Sequence, residues 1–169
     1  ETETTLKRNR IAIDSRALRP KVLNDVSEVD TSSEILGQPL SIPVMLAPIG
    51  RLQEFEAGGG ASAAIAAEEA GVMSIASSVC EPSLENIAAA SNAPKIYQLY
   101  VNFDADSVDD IVKRVVDSGY VGFCLTVDTA VVSRRERDIS RRVKMTSKRD
   151  PESRAYRAAL NWSDIARIR

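Results

Sequence analysis

Polar residues in this chain fall where its apolar runs stop, which is where they could act together. The run 72–76 stops at Ser77 and Ser78, the run 96–101 carries Gln98 and Tyr100, and the run 121–127 carries Thr126 and gives way to Asp128. Serine, threonine and glutamine offer neutral donors and acceptors. Asp128 adds a carboxylate at the last of these ends. Arg134, Arg135 and Arg137 follow, and a planar guanidinium can hold a carboxylate by two parallel hydrogen bonds. Each residue taken singly also has a plainer role. Ser77 and Thr126 cap strand ends, Tyr100 is a core aromatic with a wet hydroxyl, Asp128 caps a loop, and Arg134 and Arg137 are surface charges. The chain contains no histidine, so an imidazole base is not among its residues.

The elements that position these residues follow from periodicity. Short apolar runs predict strands over 44–47, 72–76, 96–101 and 121–127. Between the last two, Val108, Ile111, Val112, Val115 and Val116 recur at helical spacing, with Asp104, Asp106 or Ser107 as N-cap and Gly119 as the stop. An Ala-rich helix is predicted over 61–70, and another from Pro82 at its first position to near Ser91. Strand starts near 44, 72, 96 and 121 repeat about every 25 residues, the period of a βα unit in a doubly wound sheet or a (β/α)8 barrel. In either architecture chemistry gathers at the C-terminal strand ends. The loop after the first strand lacks a G-x-G-x-x-G fingerprint, and Gly58, Gly59 and Gly60 read as close packing at a helix start.

Outside this region the signals are weaker. Residues 1–16 have a weak helical pattern, the tail of a longer helix, broken by Arg19 and Pro20. Gly and Pro punctuate 35–46, predicting a small hairpin. Residues 139–154 are basic and aperiodic and read as a surface loop. Trp162, with Ser163 as N-cap, begins a further helix. The expected organisation is one domain: 1–42 as N-terminal helix and hairpin, 43–138 as four strands, 139–161 as basic loop and 162–169 as the next helix. Its 169 residues, 44% hydrophobic, suffice for one core. A net charge of −2 and a basic segment without interleaved aromatics argue against a nucleic-acid partner. No apolar run approaches a membrane span, so no membrane partner is expected. Cys80 and Cys124 lack metal-ligand spacing and read as buried free thiols of a cytoplasmic protein, and no metal is expected. The chain begins with Glu1, which reads as downstream of the translational start.

The motifs YQLYV, LTVDT and RRERD, with RPKVLNDVSEVDTSSEILG, PVMLAP and the serine pair 77–78, resemble the FMN-dependent α-hydroxy-acid oxidases and dehydrogenases. This family includes glycolate oxidase, lactate oxidase and mandelate dehydrogenase. The similarity runs in register from about Leu6 to Arg169. It implies a (β/α)8 TIM barrel, of which this chain supplies the hairpin and the first four βα units. It also implies FMN as cofactor, an L-2-hydroxy acid as substrate, a homo-oligomer (tetramers are typical), and a C-terminal barrel half as partner. Ser77, Gln98 and Thr126 match positions that contact FMN, as does the backbone of Ala47, Pro48 and Ile49. Tyr100 matches a tyrosine that hydrogen-bonds the substrate. Asp128 matches the carboxylate behind the catalytic histidine, and Arg135 the arginine that pairs with the substrate carboxylate.

The family's histidine, second arginine, flavin lysine and phosphate-binding segment belong to the missing half, and its N-terminal tyrosine lies upstream of Glu1. The resemblance therefore implies that this chain does not work alone. Three departures bear on substrate. Ala57 to Gly60 replaces a PEGE-like segment, Ser133 replaces a glycine, and Val79 stands where glycolate oxidase has tryptophan, which enlarges the pocket for a bulkier acid. A branch that oxidises a modified-peptide precursor of a redox cofactor, with a similar GGG and SRRERD pattern, is the alternative substrate class. A non-catalytic half-barrel is the alternative outside enzymology. A third FMN barrel, type 2 isopentenyl-diphosphate isomerase, is not expected to share RRERD beside LTVDT.

Overall fold

The computed structural model describes residues 3–131, 136–142 and 151–169. Helix α1 is Thr4–Asp14, and strands β1, Ser33–Ile35, and β2, Gln38–Leu40, form an antiparallel hairpin. Strand β3, Met45–Leu46, precedes a 3-10 turn at Leu52–Glu54 and helix α2, Gly60–Glu69. Strand β4, Met73–Ser77, leads to helix α3, Leu84–Ala89. Strand β5, Lys95–Tyr100, leads to helix α4, Ala105–Asp117, and then strand β6, Gly122–Thr126. Helices α5, Glu136–Ser140, α6, Pro151–Ala159, and α7, Trp162–Ile168, follow.

The chain separates into two compact units, Glu1–Asp30 with Val132–Lys148, and Thr31–Val131 with Arg149–Arg169. The hairpin falls in the same unit as the sheet. In the first unit α1 buries none of its residues, and Arg10 closes on Asp14 one turn later at 2.8 Å. Arg137 of α5 pairs with Glu3.

In the second unit the order β3-β4-β5-β6 is fully parallel, each strand beside its predecessor. Successive side chains alternate between the faces, and both faces are apolar over most of their length, as a parallel sheet requires. Ala76, Tyr97, Leu99 and Val101 join Ala64, Leu84, Ile87, Val108, Val115 and Tyr120 in a core on the helix-covered face. On the other face Met73 and Ile96 pack with Leu40 of the hairpin, flanked by Ile35, Met45 and Ile75. The hairpin turns through Leu36 and Gly37, at φ 52 and 71, the positive pair that a tight two-residue hairpin turn needs. Gly122, at the start of β6, stands where a Cβ would lie 3.2 Å from Ile96 and 3.5 Å from Leu36. The hairpin therefore closes the N-terminal end of this face.

The glycine run acts by close approach, as expected. A Cβ on Gly59 would come within 2.2 Å of the Glu81 carbonyl, and one on Gly60 within 2.6 Å of Ile87. The Glu81 carbonyl accepts Gly60 N–H at 2.8 Å, docking the start of α2 against the loop before α3.

Several expectations are corrected. Helix α3 starts at Leu84 behind Ser83, whose hydroxyl accepts Asn86 N–H, so Pro82 lies outside the helix. Helix α7 is capped by Asn161, whose side chain takes Ser163 N–H while Asp164 takes the Asn161 N–H, a reciprocal capping box. Val116 is 67% exposed, because the covered stripe of α4 ends at Val108, Ile111, Val112 and Val115. Cys124 is free but exposed, since it points from β6 toward the face that no helix covers. Much of the expected basic loop is helical, in α5 and α6. Helix α6 packs Tyr156 against the helix-side core, joined there by Leu160 just beyond its end, two apolar contacts too sparse to show as a period. Residues 143–150 of that loop lie outside the described residues.

Helices α3 and α4 are joined by Arg114, whose Nε donates to Glu85 at 2.8 Å. That bond holds the Glu85 carboxyl down from 4.5 to about 2. A carboxyl with a lowered folded-state pKa contributes in full above its unfolded value and loses the contribution as pH falls toward the folded one. Glu85→Gln in the full-length protein is therefore expected to lower the urea midpoint at neutral pH. The gap to wild type should narrow between about pH 4.5 and about pH 2. Urea melts across that range check this, and a gap that does not change with pH would deny the linkage.

Candidate functional site

The parallel register determines which polar side chains can meet. Ser77 stands beside Gln98 and Tyr100 beside Thr126, while Gln98 itself is opposite Cys124. By alternation, 77, 98, 100, 124 and 126 all project from the face opposite the helices, at its C-terminal end. The sequence places an apolar residue at each inward position nearer the strand starts, then turns polar. Ser77 and Gln98 are each 3% exposed, Thr126 and Tyr100 are half-buried, and Asp128 is exposed.

Three of these side chains form one directed chain. The Ser77 hydroxyl donates to Gln98 Oε1 at 2.8 Å, and Gln98 Nε2 donates to Thr126 Oγ1 at 2.7 Å. Ser77 Oγ also accepts Val79 N–H at 3.4 Å. Gln98 thus uses both ends of its amide, as a buried amide must. The Thr126 hydroxyl, having accepted, keeps its own proton to donate. The trio carries no formal charge, so the arrangement suits a polar but uncharged ring edge better than a phosphate or a metal. Among the described residues no cluster of three or more His, Cys, Asp or Glu could hold a metal ion.

Ser78 has a role that sequence reasoning missed. Its N–H donates to the Gln98 carbonyl at 2.8 Å, and its hydroxyl accepts Tyr100 N–H at 3.1 Å. It prolongs the β4–β5 ladder past the last strand residue and steadies the backbone of Tyr100. The doubled serine was the available signal. Ala47, Pro48 and Ile49 form the exposed exit of β3. Arg51 N–H donates to the Val79 carbonyl at 3.0 Å, tying that exit to the residues after Ser77 and Ser78. Gly50 is needed there, since a Cβ would lie 2.7 Å from the Val79 side chain.

Asp128 lies two residues past the end of β6, beside Thr129, whose buried hydroxyl oxygen has no hydrogen-bond partner among the described residues. Arg135 lies outside the described residues, as does Arg134. The structure therefore gathers Ser77, Gln98, Tyr100 and Thr126 on one face, and sets Ala47 to Ile49 and Asp128 on strand exits at the same end.

Gln98→Leu would leave the buried Ser77 hydroxyl and the half-buried Thr126 hydroxyl without their shared partner, at an expected cost of about 1–3 kcal/mol. Flavin affinity should fall with stability. Denaturant unfolding and FMN fluorescence titration of the full-length variant check both, and an unchanged affinity would deny the expectation that Gln98 contacts FMN.

The sequence profile described as FMN-dependent dehydrogenase matches residues 1–169. Glycolate oxidase 1 of Oryza sativa subsp. indica is 38% identical over 142 residues, covering 84% of this chain and 38% of its own length. An L-lactate oxidase of Nostoc sp. is 36% identical over 140 residues, 80% of this chain and 38% of its own. A crystal structure of mandelate oxidase with 3,3-difluoro-2-hydroxy-3-phenylpropionic acid superposes with a TM-score of 0.84 at 28% identity. It covers 99% of this chain and 50% of that one. An active chimera of (S)-mandelate dehydrogenase, in a variant form, gives 0.87 at 27% identity over 99% of this chain and 54% of its own. The chain therefore spans about half the length, or less, of these proteins, and its sheet is the first half of their barrel.

Proposed function

From a chain that belongs to the FMN-dependent dehydrogenase family, we propose an enzyme that oxidises an L-2-hydroxy acid to the 2-oxo acid. The observation that carries this reading is the neutral chain Ser77–Gln98–Thr126 at the C-terminal strand ends. When bound, FMN supplies a hydride acceptor for the substrate C2 hydrogen.

The chain's own residues do the holding. Ser77, Gln98 and Thr126 meet the polar edge of the ring, with the backbone of Ala47, Pro48 and Ile49 alongside. They fit such a ring because two hydroxyls and an amide already share their bonds in one direction and need no counter-charge. Tyr100 donates to the substrate. Arg135 pairs with the substrate carboxylate. Loss of the hydroxyl proton to a base, together with loss of hydride from C2, completes the two-electron oxidation. The base is a histidine of the second barrel half, and Asp128 orients it and steadies its protonated form.

Val79, 42% exposed on the exit that Gly50 abuts, favours a substrate bulkier than glycolate. Oxidation of a modified-peptide redox-cofactor precursor is the second reading, supported by the glycine run 58–60 and the SRRERD motif at 133–138. The proposal extends to a cytoplasmic homo-oligomer, to be tested by fractionation and by light scattering.

The full-length protein is expected to purify yellow and to lose its visible flavin band when mixed anaerobically with mandelate or lactate. Timed reoxidation in air then separates an oxidase from a dehydrogenase. Protein that neither holds FMN nor is bleached by any 2-hydroxy acid would sink the reading. Arg135→Lys, which trades a fork for a point charge, should lose roughly 1–3 kcal/mol in kcat/KM with flavin affinity unchanged. Unaltered kcat/KM would show that Arg135 is not the carboxylate partner.

A further inference from the structure

Helix α6 reaches over the exits of β5, which ends at Tyr100, and of β6, which Asp128 follows. Arg157 donates from Nε to Asn102 Oδ1 at 2.8 Å, with Nη2 on the same oxygen, and Ser153 Oγ donates to the Asn102 carbonyl at 3.4 Å. One turn away on the same side of the helix, Arg154 donates from Nε to the Ala130 carbonyl at 3.2 Å. Asn102 lies two residues past Tyr100, and Ala130 two residues past Asp128. The two contacts are thus matched in sequence as well as in space. The segment that makes them is itself held. Tyr156 and Leu160 pack on the core containing Tyr97, Leu99 and Val108. Arg167 of α7 bonds Asp109 and the Ala105 carbonyl of α4.

We propose that Arg157 and Arg154 are positioning residues, which fix the exits of β5 and β6 through Asn102 and the Ala130 carbonyl and so aim Tyr100 and Asp128. This rests on the roles proposed above for those two residues. Neither arginine reaches the reacting atoms, since each ends on a loop beyond the strand. A guanidinium with two N–H groups on one oxygen sets direction as well as distance, which an ammonium does not. Direction matters here, because misplacing a catalytic group by about 1 Å can cost on the order of 100-fold in rate.

The test uses the full-length, flavin-loaded protein with Arg157→Ala, Arg157→Lys, Arg154→Ala and Asn102→Ala. In Arg157→Ala and Asn102→Ala, kcat should fall about tenfold. The double variant should fall no further than either single, because the two act as one unit. Arg157→Lys should recover part of the loss, and FMN affinity should stay unchanged throughout. Amide hydrogen exchange should quicken at 101–104 in Arg157→Ala and at 128–131 in Arg154→Ala, and stay slow along β4. A lowered Tm with kcat intact, at a temperature where every variant is folded, would mean a merely structural helix and overturn the proposal. If Arg157→Ala does not fold, Arg157→Lys and Asn102→Ala decide by the same readouts. If wild type is not reduced by any 2-hydroxy acid, the functional reading falls. Exchange at 101–104 and 128–131 then judges the arginines, with no change overturning their role.

Discussion

Gln98 must satisfy both ends of its amide while almost wholly buried, and the arrangement of three strands follows from that requirement. Its carbonyl oxygen needs a donor from β4 and its nitrogen an acceptor from β6. Only one parallel register supplies both on the same face. Slipping β4 by one residue would bring Ala76 or Ser78 opposite, turning Ser77 toward the helices. Slipping β6 would replace Thr126 by an apolar neighbour. A buried amide left half-bonded costs about 1–3 kcal/mol, so the polar chain and the apolar core penalise the same errors. The site is thus one of the reasons the sheet has this register, as well as a product of it.

The opposite end of the same face is governed by exclusion. Leu40, Met73 and Ile96 close it, and a Cβ on Gly122 would press on Ile96 at 3.2 Å. The face is therefore apolar where the hairpin covers it and polar where the strands run out. A ligand that uses Ser77, Gln98 and Thr126 must come from the C-terminal side. Loop chemistry and ligand access are placed at one end by the floor at the other.

Much of this was legible in the sequence, for physical reasons. Strands β4 and β5, buried on both faces, and the half-buried β3 and β6 leave continuous apolar runs, and α4 leaves a clear stripe, so the four strands and their order of polar ends could be read directly. Caps were less legible, because neighbouring residues compete. Ser83 and Asn161 won over Pro82 and Ser163 by accepting a specific backbone N–H. Helix α6 was hidden because Tyr156 and Leu160 suffice to anchor it while its arginines dominate the composition. Lys95 was also invisible as a core residue. It is buried at the start of β5, with its ammonium on the Ser91 and Ala93 carbonyls at 2.5 and 2.6 Å, and burial lowers its pKa. The Glu68 carboxylate, held by Asn92, counters that shift and steadies the same loop. Such pairings depend on loops meeting in space, which no local pattern records.

The two arginine contacts of α6 belong to this last class, and their logic differs from that of the glutamine. Gln98 is constrained by strands, which are rigid over a few residues and give precise spacing without help. Tyr100 closes its strand and Asp128 lies beyond one, where the ladder no longer restrains direction. Ser78 extends the ladder by one more bond on the Tyr100 side. On the Asp128 side, among the described residues, the Ala130 carbonyl is held by Arg154. Groups that must only be present can sit within the sheet. Groups that must be aimed sit past it, and need a second element to hold them.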